Sequence, residues 1–380
     1  MLATANRTAY NEDHEAFRDT VRKVFAEHLV PYMDEHEKNG IVPRDVWKKM
    51  GDAGMLCMTV KPENGGLGLD FGFNCVLTEE LSYLGSSAGF TLQNDITANY
   101  FERLGTPEQR AKYLPGMVSG DIITAIAMTE PGAGSDLQGI RTTARKDGNH
   151  LVINGSKTYI TNGQNADVVI VVAKTDPDKG AKGISLVLVD ADTPGFERGR
   201  NLDKIGQHAA DTSELFFNDC RVPMTNILGA EGMGFVHLME ELPQERLGIA
   251  VGAQAAAQRA FDEAVKFTKE RKAFGRSVFE FQNTKFTLAD LKAKIQVGWA
   301  HLDWAIKRHL EGKLTTDEAS AAKLWHTELQ WEACDAALQL HGGAGYMNEY
   351  AIARLWRDAR VTRIFGGTNE IMKEVISRSI

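Results

Sequence analysis

The chain of 380 residues is longer than one compact core usually needs, so two or three domains are expected. Its formal net charge of -8 at pH 7 excludes a nucleic-acid-binding protein, because such proteins need a clustered excess of lysine and arginine. The sequence contains no run of about 18 apolar residues, which excludes a membrane-spanning helix.

The cysteines are widely scattered and form no Cys-x-x-Cys pair: Cys57, Cys75, Cys220 and Cys334. Neither a disulfide framework nor a metal site is therefore predicted. The first 22 residues mix acidic and basic side chains, unlike a signal or transit peptide. A cytoplasmic protein of bacterial type is predicted. A mature organellar matrix form stays open, because a removed presequence leaves no trace.

The first third of the chain has helical periodicity. Apolar residues between His14 and Leu29 recur at helical spacing, and Pro31 lies just beyond them. Three further helices are predicted, over residues 44–53, 74–84 and 106–113. These patterns predict an N-terminal α-helical domain over residues 1–120.

Short β-branched runs then replace the helical pattern. Strands are predicted over residues 122–127, 151–153, 158–161, 168–173 and 184–189. The dipeptide Asn154-Gly155 is typical of a type I′ hairpin turn, and Asn162-Gly163 marks another turn. Because no long helix interrupts the series, an antiparallel middle β domain is predicted over residues 121–230.

Helical periodicity returns at Gly234. Long alanine-rich stretches follow over residues 248–272, 282–309 and 317–340. Such stretches predict a C-terminal α-helical bundle over residues 231–380. The predicted fold class is therefore α+β, in the order helical, β, helical.

Three glycine-rich segments are ambiguous when each is taken alone. Residues 128–136 could present backbone N–H groups and hydroxyls to a ligand, but Pro-Gly turns between strands are common. Leu137 stands where the third glycine of a dinucleotide fingerprint would fall. Residues 339–346 fit a plain helix C-cap, and residues 363–370 fit a helix entry.

Glu245 is equally ambiguous from its local sequence. It stands in an apolar helical context shortly after Pro243, which removes one backbone hydrogen bond. A surface carboxylate, or a partner of a nearby arginine, would have the same local pattern.

Five segments are informative when they are taken together: Thr129-Glu-Pro-Gly-Ala-Gly-Ser-Asp136, Lys157-Thr-Tyr-Ile-Thr-Asn-Gly163, Glu270-Arg-Lys-Ala-Phe-Gly275, Gln339 to Gly343 and Gly367-Thr-Asn-Glu370. In their order and spacing they resemble the acyl-CoA dehydrogenase family across nearly the whole chain. The resemblance implies a helical domain, a β domain and a four-helix domain, usually in a homotetramer. It also implies FAD as cofactor, acyl-CoA as substrate and electron-transferring flavoprotein as electron acceptor.

The resemblance assigns cofactor contacts in two groups. The first lines the flavin: Met128, Thr129, Gly134 and Ser135, with Tyr159 against the isoalloxazine and Thr161 near its N5. The second reaches the FAD of a neighbouring subunit: Arg271, Phe274, Gln282, Gln339, Leu340, His341, Gly342 and Gly343. The resemblance adds Thr368, Asn369 and Glu370, which complete that site.

One departure from the family pattern concerns the base. Many members carry the catalytic glutamate immediately before the Gly-Thr of the last motif, where this chain has Gly366. In the long-chain and isovaleryl branches the base stands on the helix after the β domain, and Leu242-Pro-Gln-Glu-Arg246 resembles the long-chain branch. This resemblance implies Glu245 as the base. Glu241, one helical turn earlier, is the rival.

The expected substrate contacts near the thioester are Ser135, Gln244, Arg246, Gly366 and Gly367. The expected reaction converts acyl-CoA to trans-2-enoyl-CoA, with the proton going to Glu245 and the hydride to flavin N5. The alternatives are an acyl-CoA oxidase-like flavoenzyme and a catalytically idle FAD-binding scaffold. The sequence leaves the length and branching of the acyl group open.

Overall fold

The structure, a computed structural model, describes residues 1–2 and 7–380. The predicted helices of the first third are confirmed. The helices are α1 (Glu12–His28), α2 (Met33–Asn39), α3 (Arg44–Asp52), α4 (Phe71–Leu84), α5 (Ala98–Leu104) and α6 (Pro107–Ser119). A π-helix, Leu92–Thr97, runs directly into α5. Such π-helical turns often occur at functional sites.

Within the described residues, eight strands of the middle of the chain form one sheet. They are β1 (Thr124–Ala127), β2 (Thr143–Asp147), β3 (His150–Thr161), β4 (Val168–Lys174), β5 (Ile184–Asp190), β6 (Phe196–Asn201), β7 (Thr212–Pro223) and β8 (Ile227–Leu228). The order is β6-β7-β3-β2-β4-β5-β8, and β1 pairs with β4. Most pairs are antiparallel as predicted, but β4 is parallel to both β1 and β2.

The hairpin predicted at Asn154-Gly155 is wrong. Both residues lie inside β3, where the pairing with β7 shifts register between Ile153 and Gly155. A Cβ atom on Gly155 would lie 2.4 Å from Oγ1 of Thr142. The dipeptide therefore marks a β-bulge at which the backbone of β3 lies close to Thr142. Such a bulge favours the same small, flexible residues as a hairpin turn.

The C-terminal part of the chain is helical, as predicted. It contains α7 (Gly234–Glu270), a small hairpin of β9 (Lys272–Ala273) and β10 (Arg276–Ser277), α8 (Gln282–Leu310), α9 (Thr316–His341), α10 (Ala351–Thr362) and α11 (Asn369–Ser377). Helix α7 begins well before the predicted alanine-rich stretch and contains Pro243. In the described part of the chain, every helix is too short or too polar to cross a membrane.

Helix α7 is the element that joins the N-terminal and C-terminal helices. Its buried Leu247 and Val251 share a hydrophobic cluster with Phe71 of α4 and Leu302 of α8. Farther along, Ala260 packs in a second cluster with residues of α8, α9 and α10. A carboxylate on the buried face of α7 therefore lies deep in the molecule.

Candidate active site

Glu245 lies on the buried face of α7 and is directed toward α5. Only 6% of the residue is exposed, and the Tyr100 hydroxyl donates a 3.2 Å hydrogen bond to its Oε1. Burial raises the pKa of Glu245 to about 7, with Glu241 adding to the rise and Tyr100 and Arg246 opposing it. A carboxyl with this pKa holds and releases a proton near neutral pH, as a general base must.

The rival Glu241 has a different partner. Its carboxylate forms an ion pair with Arg103 of α5, and Glu240 lies 3.3 Å from the same guanidinium. Burial raises the pKa of Glu241, and the charge of Arg103 opposes that rise. Because Glu241 is already paired with a cation, it is a weaker candidate for the base than Glu245.

Gly366 and Gly367 form the turn between α10 and α11, with positive φ values of 63° and 91°. A Cβ atom on Gly366 would lie 2.3 Å from Cδ1 of Ile249, one turn after Glu245 on α7. A Cβ atom on Gly367 would lie 3.8 Å from Nη2 of Arg246. The turn therefore faces the stretch of α7 that carries Glu245, and Ile249 fills the space beside Gly366.

Arg246 is buried and directed toward α9, where its Nη1 donates to Oγ of Ser320 at 3.1 Å. Its neighbour Glu245 contacts α5 instead, in agreement with the expected offset of about 100° between adjacent helical residues. Burial lowers the pKa of Arg246, and Glu245 partly restores it. Arg246 thus places positive charge beside the glycine turn.

Lys323 of α9 was missed by the sequence reasoning. It is fully buried, and its Nζ donates to the carbonyl of Gly367 and to Oδ1 of Asn369, both at 2.8 Å. Burial, and next the charge of Arg246, lower the pKa of Lys323 to about 8. No local pattern singles out this lysine in an alanine-rich helix, because its partners lie more than 40 residues away in sequence.

The last motif is held in place by several contacts. Oγ1 of Thr368 caps α11 by accepting a hydrogen bond from the Ile371 N–H, which agrees with the helix entry predicted over residues 363–370. The Asn369 side chain is buried and donates to Thr327 and Glu328, while Glu370 is exposed in the first turn of α11. Cofactor contact by Thr368, Asn369 and Glu370 stays a prediction.

Gln244 links three elements of the site. Its amide donates to the backbone carbonyl of Asp95 in the π-helix at 2.8 Å, and its Oε1 lies 3.0 Å from Nε2 of His309 on α8. Asp95 itself was missed from the sequence. Its side chain is buried, and burial raises its pKa to about 8, against hydrogen bonds from Thr78 and Asn74.

The first group of predicted flavin contacts lies along the ends of β1 and β3. Met128 and Thr129 are half-buried, Gly134 and Ser135 are exposed, and Thr161 is half-buried. The buried Lys157 donates from Nζ to the Met128 carbonyl at 3.0 Å, and the Thr158 N–H donates to the Thr129 carbonyl at 3.0 Å. These bonds join the two segments. Met128 also packs against the cluster that contains Tyr100.

Tyr159 has features that suit a ring contact with a planar ligand. It is 69% exposed, and its φ of 60° is unusual for an aromatic residue in a strand. A Cβ atom on Gly134 would meet nothing within 4 Å, so the loop after β1 leaves open space. An exposed tyrosine ring, nearby hydroxyls and an open glycine loop fit the flavin of FAD.

The second group lies at the other end of α7. Because an α-helix rises about 1.5 Å per residue, Arg271 is roughly 39 Å from Glu245 along the axis. His341 stacks on Phe267 at 4.3 Å, which joins the ends of α9 and α7. In this group His341 is buried and Leu340 is half-buried. The exposed members are Arg271, Phe274, Gln282, Gln339, Gly342 and Gly343. The structure therefore separates this group from the base on the same chain.

Family models match most of the chain. The acyl-CoA dehydrogenase N-terminal domain matches residues 11–121, the middle domain residues 125–220 and the C-terminal domain residues 232–380. The order helical, β, helical agrees with the observed fold. The resemblance and the fold class predicted from the sequence are confirmed.

Similar proteins cover nearly the full length. The long-chain specific acyl-CoA dehydrogenase of Sus scrofa is 48% identical, over 98% of this chain and 88% of that protein. The crystal structure of acyl-CoA dehydrogenase from Geobacillus kaustophilus has a TM-score of 0.97 and 49% identity, over 98% and 99% of the two chains. A glutaryl-CoA dehydrogenase of Mycobacterium smegmatis in complex with FADH2 has a TM-score of 0.88 and 27% identity, over 98% and 95%. The chain belongs to the acyl-CoA dehydrogenase family of FAD-dependent oxidoreductases.

Proposed function

We propose that this chain oxidises an acyl-CoA thioester to the trans-2-enoyl-CoA, with Glu245 as the base. The observation that carries this proposal is the environment of Glu245: a buried carboxyl whose hydrogen-bond partner is the neutral hydroxyl of Tyr100. Burying a carboxyl without a cationic partner costs free energy, so such a group is expected where chemistry uses it. The same observation argues against an idle FAD-binding scaffold.

Proton removal requires a base in a dry site. The Glu245 carboxylate takes the proton from the α-carbon of the thioester, and a pKa of about 7 leaves much of it ionised at neutral pH. Substrate that excludes water strengthens this base, because the carboxylate loses solvation. The rate of this step should therefore rise with pH through the pKa of Glu245.

Negative charge that develops on the thioester oxygen needs donors beside the base. We propose that the Gly366 backbone N–H points to this oxygen, since the turn faces α7 one turn from Glu245. Arg246 and Lys323 are buried cations beside the same turn, and Lys323 fixes the Gly367 carbonyl. Both cations favour negative charge at this position. Gln244 and Ser135 are proposed to line the substrate nearby.

The flavin contacts proposed for this chain are Met128, Thr129, Gly134, Ser135, Tyr159 and Thr161, which fit the ring as described above. When bound, FAD supplies the acceptor for the hydride that leaves the β-carbon. The buried Lys157 holds the Met128 carbonyl, so the ligand-facing loop stays in place.

A basic pocket supports a phosphate-bearing carrier such as CoA. The pocket has a volume of about 520 Å³. It is lined by Arg145, Lys146, Thr175, Asp176, Lys179, Lys182, Glu231 and Gly232, so four cations outnumber two carboxylates. Gly232 lies just before α7, and at about 1.5 Å per residue Glu245 follows some 16 Å along the helix.

A homotetramer is the second part of the proposal. Phe274 is 95% exposed at the tip of the β9–β10 hairpin, in a strained positive-φ conformation. Helix α8 also exposes Phe286 and Val297, at 65% and 61%. Exposed apolar residues of this size favour coverage by another copy. We propose that the group around Arg271 contacts the FAD of that copy, because it lies too far from Glu245 on its own chain.

Four observations test the proposal. Purified protein should carry one FAD per chain, and an acyl-CoA from a panel of short, long and branched thioesters should bleach the flavin anaerobically. Protein that fails to bind FAD, even after reconstitution, contradicts the assignment.

Slow reoxidation of the reduced flavin in air and fast reoxidation by electron-transferring flavoprotein are expected, whereas fast reoxidation by air would identify an oxidase. Arg271→Ala should lose FAD and tetramer together.

A further inference from the structure

Helices α5 and α7 contact each other through two pairs of polar side chains. Tyr100 and Arg103 lie three residues apart on one face of α5. Glu241 and Glu245 lie four residues apart on one face of α7. Tyr100 contacts Glu245 and Arg103 contacts Glu241, so the two helices are joined by two parallel polar contacts.

The two contacts differ in their exposure to water. Tyr100 is completely buried in the hydrophobic cluster that includes Phe101 and Ile126. The Arg103 side chain is 49% exposed. The inner contact is therefore dry and joins a neutral donor to the proposed base, while the outer contact is an ion pair at the surface.

We propose that Tyr100 is a positioning residue for the base Glu245. Its hydroxyl holds Oε1 at 3.2 Å, which fixes the rotation of the carboxyl group and leaves Oε2 to take the proton. The Arg103–Glu241 ion pair is a second, half-exposed contact between α5 and α7. This inference rests on the proposed function of Glu245.

Charged and titratable groups reach Glu245 from three directions. Burial raises its pKa, Tyr100 on α5 lowers it, and the neighbours Glu241 and Arg246 on α7 raise and lower it respectively. Asp95 of the π-helix lies one turn farther along, where its Oδ2 would be 3.2 Å from a Cβ atom on Gly248. Loss of the Tyr100 hydroxyl removes a donor to the carboxylate, so the pKa of Glu245 should rise.

The test is the pH dependence of flavin reduction in Tyr100→Phe holoenzyme. Wild type is measured first with the best acyl-CoA of the panel, at saturation. In the variant, the acidic limb of the rate profile should move upward by about 0.5–1 pH unit, and the plateau rate should fall about threefold to tenfold. FAD content and acyl-CoA affinity should stay close to wild type, because the ring is kept.

Tyr113→Phe is a matched control. Tyr113 is buried in the same hydrophobic cluster, but its hydroxyl donates to Asp190 at 2.9 Å, away from Glu245. Its substitution should leave the pH profile of flavin reduction unchanged. A second variant replaces Tyr100 with 3-fluorotyrosine, whose more acidic hydroxyl donates more strongly. That variant should move the limb to lower pH.

The outcomes separate this inference from the proposed function. Wild-type flavin that no acyl-CoA bleaches contradicts the proposed function. If the wild type is active and both Tyr100 variants have its pH profile, only the positioning role of Tyr100 is contradicted. Tyr100 would then be a packing residue. Opposite shifts in the two Tyr100 variants, with an unchanged Tyr113→Phe profile, establish it.

Discussion

Two buried glutamates on neighbouring helices of this molecule have opposite environments. Glu79 of α4 is fully buried and forms ion pairs with Arg7 at 2.6 Å and Arg18 at 2.9 Å, while the Tyr10 hydroxyl donates to it at 2.6 Å. Glu245 of α7 is 6% exposed and accepts a hydrogen bond from Tyr100. The same residue type at similar depth thus forms ion pairs with two arginines in one place, and in the other forms no ion pair with any described residue.

The difference shows how partners decide the role of a buried carboxylate. Burial alone would lower the pKa of Arg18, but its acidic surroundings together outweigh burial and raise it, with Glu79 the largest contributor, so the guanidinium stays charged. Burial raises the pKa of Glu245 toward neutrality, so that group exchanges a proton instead. Glu79 is thus held in a network of ion pairs, whereas Glu245 can exchange a proton near neutral pH.

The largest expected effect is on Glu245. Glu245→Gln keeps the size and polarity of the side chain, so FAD and acyl-CoA should still bind. Flavin reduction should fall by about 10²–10⁴-fold or more, because an amide cannot take the proton. Stopped-flow bleaching of the flavin measures this rate.

Glu241→Gln is the control for that loss, since Glu241 lies on the same helical face but is paired with Arg103. It should retain much of the activity. If Glu245→Gln reduces its flavin at the wild-type rate, Glu245 is not the base. Glu241 or Glu370 would then be the candidate for the base.

Glu79→Gln tests the other side of the comparison. It leaves the buried Arg7 and Arg18 without their shared carboxylate. Arg7 keeps Asp303 and Arg18 keeps Glu80, so the loss should lie toward the lower end of the about 3–5 kcal/mol that breaking a buried pair costs. The thermal midpoint should fall clearly, while the rate of flavin reduction per folded, flavin-loaded chain should stay near wild type. If Glu79→Gln lowered the rate of flavin reduction as well as the thermal midpoint, Glu79 and Glu245 would not have separate functions.

A third experiment moves the base to Gly366, where the resemblance places the catalytic glutamate of many family members. The exchange Glu245→Gly with Gly366→Glu should recover little activity by itself. A side chain at residue 366 meets Cδ1 of Ile249 at 2.3 Å, and the φ of 63° disfavours a residue with a Cβ atom.

Ile249→Ala added to that exchange opens the space beside residue 366. About tenfold recovery over Glu245→Gly is expected, because a mispositioned base retains only part of the effect of a general base. Glu245→Gly with Ile249→Ala is the matched control. If that control recovers equally, the new carboxylate does not act.

The sequence predicted the long helices well and the buried polar groups poorly. Alanine-rich stretches with helical periodicity specify α8 and α9 locally. The environment of Glu245 depends on Tyr100, 145 residues away, so only the family resemblance indicated its role. Lys323 was not predicted, because its partners are also distant in sequence. Asn154-Gly155 misled because a bulge and a hairpin turn use the same residue types.

The smallest expected effect concerns Asp95, a buried carboxyl that forms no ion pair with any described residue and that the proposed mechanism does not use. Its pKa of about 8 in the folded state lies above the ordinary value of 3.8, so the folded protein holds a proton that the unfolded chain releases at neutral pH. The stability that the protonated form contributes is complete below about pH 4 and is lost as pH rises through 8.

Asp95→Asn removes this dependence and should stabilise the protein by about 1–3 kcal/mol near pH 8, with little gain at pH 5. Thermal midpoints across that range measure the difference, with Asp192→Asn on an exposed turn as the control. A gain that does not change with pH would show that Asp95 is charged in the fold and that a cation or water compensates it.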